Sequence, residues 1–160
     1  MNVSLAAALQ LPYLRLHQTL YRLSGGLVGR HVGSRPALLL TTRGRRSGEP
    51  RTVALIYARR GDDFVVVASN GGSDRHPGWY YNMTADPHVT VQVGRHRQTA
   101  VAHQADDSDR QELWALVNKK NRGLAPLLHP GAKGRYDAYQ AHTTRTIPVV
   151  VISPNEPPCR

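Results

Sequence analysis

Cysteine is nearly absent: Cys159 is the single one among 160 residues. A lone thiol excludes an intrachain disulfide framework and a cysteine-based zinc site. The expected compartment is therefore the reducing cytoplasm. Lysine is scarce too, with 3 against 18 arginines. No apolar run approaches the roughly 18 residues that a membrane-spanning helix needs. No Lys or Arg precedes the apolar start of the chain, so a secretory leader is not expected. No sequence period recurs, which excludes repeat, coiled-coil and collagen-like architectures.

Familiar catalytic signatures are missing as well. No G-x-G-x-x-G follows a strand and no phosphate-binding G-x-x-x-x-G-K-[ST] occurs. There is no G-x-S-x-G elbow. The 8 histidines stand apart without ligand spacing, so no metal site is expected. A paired-carboxylate hydrolase needs two buried acids, whereas Asp62-Asp63 and Asp106-Asp107 sit in turn-like stretches.

What is present is one domain's length of chain, 40% of it hydrophobic, with a net charge of +10. The sequence pI of about 10.5 predicts an anionic partner. Arginine makes forked contacts to carboxylate or phosphate, although a GC-rich genome explains the same bias. A nucleic-acid binder interleaves basic clusters with exposed aromatics or carries a reading module. Neither is visible, so nucleic acid is not the expected partner.

Hydrophobic periodicity predicts a helix over 5–24, stopped by Gly25-Gly26. It reads as a cap on the core, or as an amphipathic anchor on the inner membrane face. Residues 1–30 then form a helix and linker, 31–154 the folded domain and 155–160 a disordered tail. Strands are predicted over Ala37–Thr42, Arg51–Ala58, Phe64–Ser69, His88–Val93, Gln98–His103 and Ile147–Ile152. Pro148 reads as an edge or a strand start. Short helices are expected near Pro77–Thr84, at Asp109–Lys119 behind a Ser108 cap, and around Tyr136–Gln140, with a loop over 121–134. Strands joined by short hairpins, with few helices, point to a mainly β fold: a small antiparallel barrel with flanking helices.

Three segments carry the chemical signal. TTRGRRSGEPR (41–51) gathers Arg43, Arg45, Arg46 and Arg51 on one turn. That turn is either a solvated basic hairpin or a site for phosphate and carboxylate. VASNGG (67–72) lets a ligand approach its backbone and leads to HPGWYYN (76–82). There Trp79 suits a planar ring or the core. YDAYQ (136–140) places Tyr136 and Tyr139 on one helical face, where the phenols meet a substrate or close the core.

LLLTTRGRRSGEPR, VVASNGG, HPGWYYNMTADP and YDAYQAHTTRTIPVVVISP follow in this order, spread over roughly Ala37–Pro154. The chain thereby resembles the deazaflavin-dependent nitroreductase family, split β-barrel oxidoreductases found largely in actinobacteria. The resemblance implies coenzyme F420, whose phosphodiester and oligoglutamate tail are anionic. It implies that Arg45, Arg46, Ser47, Gly48 and Arg51 hold the tail and phosphate. It places Ala54, Ala68, Ser69, Asn70, Trp79 and Asn82 along the deazaflavin groove. Ser69, Tyr136 and Tyr139 then act at the reacting centre, where a hydride passes to a quinone, enone or nitro compound. Relatives often carry Lys where this chain has Arg46 and Asn70, and 121–134 reads as an insertion. An FMN oxidoreductase of the same barrel type ranks second, because a lone phosphate needs fewer arginines. A non-catalytic cofactor- or lipid-binding protein ranks third.

Overall fold

A computed structural model describes residues 31–32, 35–121 and 135–155. The expected helix over 5–24, the expected tail beyond residue 155 and nearly all of the 121–134 loop lie outside the described residues. Eight strands follow in chain order: β1 (His31–Val32), β2 (Arg35–Arg43), β3 (Pro50–Ile56), β4 (Ala58–Arg60), β5 (Asp63–Val67), β6 (His88–Val93), β7 (His96–Gln104) and β8 (Val149–Pro154). A 3-10 turn (Asn70–Gly72) and three helices complete them: α1 (Gly78–Ala85), α2 (Asp107–Asn121) and α3 (Arg135–Ala141).

Every strand pairing is antiparallel. The sheet runs β1-β2-β6-β7-β8-β5-β4, with β3 on the other side of β2. β3 and β4 are one strand bent at Tyr57. Its first half pairs with β2 and its second half with β5. The bend therefore curls the sheet round into a split barrel, in the mainly β class that the sequence predicts. The predicted Arg51–Ala58 strand misses the bend, because its alternation continues through Tyr57. Tyr57 packs edge-on against Phe64 at 5.3 Å, and its amide reaches the Pro36 carbonyl at 3.4 Å.

Side chains alternate across each strand. Leu38, Leu40, Phe64, Val66, Val91, Val150 and Ile152 form the barrel interior, and α1 adds Trp79 and Met83 to the same cluster. The opposite faces of β5 and β8 are covered too. Val65, Val67, Val149 and Val151 pack with Leu113 and Val117 of α2 and Tyr136 of α3. Burial on both faces explains why FVVV and VVVI read as unbroken apolar runs. Each such side chain contributes about 1.5–3 kcal/mol.

Pro148 precedes a central strand, since β8 lies between β7 and β5. It marks a strand start and not an edge. Ser108 is not the cap of α2, because Asp109 and Arg110 both donate backbone bonds to the Asp106 carbonyl. The helix thus begins two residues earlier than expected, at Asp107, and it runs on to Asn121.

Candidate active site

The β2–β3 hairpin stays paired as far as Arg43 opposite Pro50. Its tip closes through Gly44 N–H to Glu49 O (2.8 Å) and Gly48 N–H to Gly44 O (2.7 Å). Gly48 has φ +70, which suits glycine. A Cβ on Gly44 would sit 2.7 Å from the Ser47 hydroxyl and 3.1 Å from the Glu49 carbonyl, so a side chain there would make the tip adjust. Arg45, Arg46 and Ser47 form the exposed tip. The guanidinium groups of Arg43, Arg46 and Arg51 have no hydrogen-bond partner among the described residues, nor have the amides of Arg46 and Ser47. Unsatisfied N–H groups beside several positive charges are the chemistry that phosphate and carboxylate groups bind.

Arg45 is tied down instead. Its amide and its guanidinium both donate to Asn82 Oδ1, each at 3.3 Å. Its guanidinium carbon sits 4.9 Å from the Tyr81 ring centre. Asn82 is buried and passes the contact on: Nδ2 donates to the Thr42 hydroxyl (3.1 Å). Asn82 therefore fixes the hairpin against α1 through Arg45 and Thr42.

The second part of the site follows β5. Ser69 has right-handed backbone angles; then Asn70, Gly71 and Gly72 take φ 47, 65 and 82. Three left-handed residues in a row explain the Asn-Gly-Gly sequence. Ser69 is half-buried, and its hydroxyl has no partner among the described residues. The amides of Asn70 and Gly71 are likewise unpartnered among those residues. Ala68 is 0% exposed. It packs in the barrel interior and offers no surface to a ligand, contrary to its place in the expected groove. Ala54 lies between Val53 and Leu55, which face the barrel interior, so it points to the outer face of β3. The fold therefore does not gather it with Trp79, which is 8% exposed and packs inward.

α3 closes the far side of this loop. A Cβ on Gly72 meets Tyr139 O at 3.0 Å, so the turn and the helix are in close contact. Tyr136 and Tyr139 come together with ring centres 6.3 Å apart. Tyr136 is 6% exposed and packs on Trp114. Tyr139 is half-buried, and its hydroxyl has no partner among the described residues. Asp137 anchors the helix by accepting from Trp114 Nε1 (2.7 Å) and Asn118 Nδ2 (2.9 Å).

Sequence reasoning assigned no role to Arg145 or His76. The Arg145 guanidinium donates to the carbonyls of Ala68, Ser69 and Ser73 and contacts His76 Nδ1. Since Arg145 only donates, Nδ1 is the acceptor and the imidazole proton sits on Nε2. Burial first, and the Arg145 charge second, hold the His76 pKa below its ordinary value. His76 also lies against the Tyr80 ring at 4.6 Å.

A cleft of about 410 Å³ opens beside the hairpin, bordered by Arg43, Gly48, Asp86, His88, Thr90 and Thr99. Of the expected site residues only Gly48 reaches it.

A sequence model of the F420H2-dependent quinone reductases matches residues 13–154. The chain belongs to this family. An F420H2-dependent quinone reductase of Mycobacterium tuberculosis is 43% identical over 143 residues, covering 88% of this chain and 89% of the relative. Among solved structures, an F420-H2 dependent reductase, FDR-A, is 34% identical with a TM-score of 0.59, over 74% of this chain and 95% of that one. A structure described as a domain-swapped dimer is 33% identical with a TM-score of 0.63, over 90% and 99%.

The residues of this family member suit coenzyme F420. The hairpin holds unpaired guanidinium groups and bare amides for an anionic arm, and the Ser69 loop leaves a hydroxyl and two amides unspent. No group of three or more His, Cys, Asp or Glu able to hold a metal occurs among the described residues. Nor is any described helix long and apolar enough to cross a membrane.

Proposed function

We propose that this protein binds reduced coenzyme F420 and uses it to reduce a quinone. The observation that carries the reading is the hairpin tip, where Arg46 and Arg51 have no partner among the described residues and stand beside bare amides. Arg46, Arg51, Ser47 and Gly48 hold the phosphodiester and glutamate arm, with Arg45 braced by Asn82 as their support. Ser69, Asn70 and the nearby α1 residues border the ring, with Trp79 backing the site from the barrel interior.

When bound, the reduced deazaflavin supplies a hydride. Reduction of a quinone to the hydroquinone also takes up a proton. Tyr139 Oη and Ser69 Oγ are the unspent hydroxyls suited to this task. Each donates to a quinone carbonyl oxygen, which orients the acceptor and polarises it. Tyr139 Oη holds the proton to be delivered. Tyr136 is buried behind Tyr139 and keeps its ring in place. The proposed location is the cytoplasm, with residues 1–30 as the part that approaches the inner membrane face.

Mixing the purified protein with F420H2 and menadione tests the reading. Protein-dependent appearance of the oxidised deazaflavin is expected. Binding without turnover across several quinones, enones and nitro compounds refutes the enzyme reading. Flavin mononucleotide retained through purification contradicts the choice of cofactor.

A further inference from the structure

The Arg145 guanidinium is spent entirely on one loop. Nε donates to Ser73 O (2.8 Å), and Nη2 to Ser69 O (2.8 Å) and Ala68 O (3.2 Å). Nη1 reaches His76 Nδ1 at 3.0 Å. No described carboxylate forms an ion pair with it. The charge is half-buried and answered by carbonyl dipoles and one imidazole. The loop itself needs outside support. Asn70 is a non-glycine residue at φ 47 and begins a left-handed run of three, a conformation that persists only when its surroundings over-determine it.

Both ends of this clamp are rigid. The loop leaves β5 at Val67, and Arg145 stands just before β8, with Val67 paired to Val149. Ala68 N–H bonds Pro148 O at 3.0 Å. The Gln140 side chain binds both the Arg145 carbonyl (2.7 Å) and the Ile147 amide (2.9 Å). Thr143 reaches Asp74 at 2.8 Å. The segment between α3 and β8 is thus laced to the loop, with the guanidinium at its centre.

We propose that Arg145 is a positioning residue: it fixes the Ala68–His76 loop in the shape that presents the Ser69 hydroxyl and the Asn70 and Gly71 amides to the reacting centre. The inference rests on Ser69 touching the acceptor. A lysine keeps the charge but cannot span four acceptors from a planar fork. Arg145→Lys should therefore lower kcat by about tenfold or more, as small misplacements of reacting groups do. Coenzyme affinity should fall less than kcat, since the hairpin holds the anionic arm and the loop only borders the ring.

A double-mutant cycle with Ser69→Ala tests this, read as kcat, KM for F420H2 and thermal midpoint. If Arg145 works through Ser69, Arg145→Lys costs little further kcat in the Ser69→Ala background. An undiminished loss of kcat in that background overturns the proposal, and so does unchanged kcat in Arg145→Lys alone. Unchanged turnover in Ser69→Ala by itself refutes the role of Ser69, and the inference falls with it. That result is separate from a failure of Arg145→Lys alone. Should Arg145→Lys not fold, His76→Leu removes a single acceptor and His76→Asn retains one. The same pattern is then expected for His76→Leu, with recovery in His76→Asn, and the absence of either overturns the proposal.

Discussion

Arg46 extends from the hairpin tip with no partner among the described residues, so its removal should cost the fold little and the ligand much. Arg46→Ala should weaken coenzyme F420 binding by about tenfold to a hundredfold, the size of a lost charged hydrogen bond. Its kcat at saturating coenzyme should hold. Tyr139→Phe should behave in the opposite way, with coenzyme affinity kept and kcat lowered by about a hundredfold, as for a lost proton donor. Steady-state kinetics paired with fluorescence titration separate the two patterns. Tyr136→Phe should have the smaller effect, since that ring is buried. At this scale the sequence announced its arginines and tyrosines, because their clustering is local. It could not announce Arg145, whose acceptors are three backbone carbonyls and an imidazole about 70 positions upstream. His76 adds a pH signature. Its pKa is lowered in the fold, so the native state binds fewer protons than the unfolded chain. Its contribution to stability is complete above the unfolded value of 6.5 and declines as pH falls through the depressed folded one. Denaturation midpoints should fall across that acidic window in the parent protein and fall less in His76→Asn.

Among the elements, α3 is the most exposed to single changes. Asp137 takes two donors from α2. Asp137→Ala strands both, at a cost of about 1–3 kcal/mol for each one left unsatisfied. Urea denaturation should show that loss. Gly72→Ala sets a side chain at φ +82, with its Cβ 3.0 Å from Tyr139 O. About 1–3 kcal/mol of destabilisation is expected, with α3 displaced from the loop. The strands were largely legible, because alternation in HVTVQV and unbroken apolar runs in β5 and β8 are written in residue type. The bend at Tyr57 was not. A strand that changes partners keeps the same alternation on both sides of the change. The start of α2 was misjudged for a related reason: Ser108 and Asp106 are both good cap residues, and only the backbone bonds to Asp106 decide between them.

At the scale of the whole molecule, a curled sheet holds three separately encoded parts in one neighbourhood. The hairpin is tied to α1 through Asn82, α1 follows the Ser69 loop, and that loop rests on α3 and Arg145. The chain carries a net charge of +10. Binding of an anionic coenzyme should accordingly weaken as salt rises and the Debye length shortens to about 8 Å at physiological ionic strength. In the proposed complex, Arg46 and Arg51 grip the anionic arm of the hydride carrier. The most direct test is a titration of the protein with intact coenzyme F420 and with a truncated deazaflavin that lacks the phosphodiester and glutamate arm. Much tighter binding of the intact coenzyme is expected, with the preference largely lost in the double variant Arg46→Ala, Arg51→Ala. Equal affinity for both compounds, or a preference that survives the double substitution, would contradict that grip.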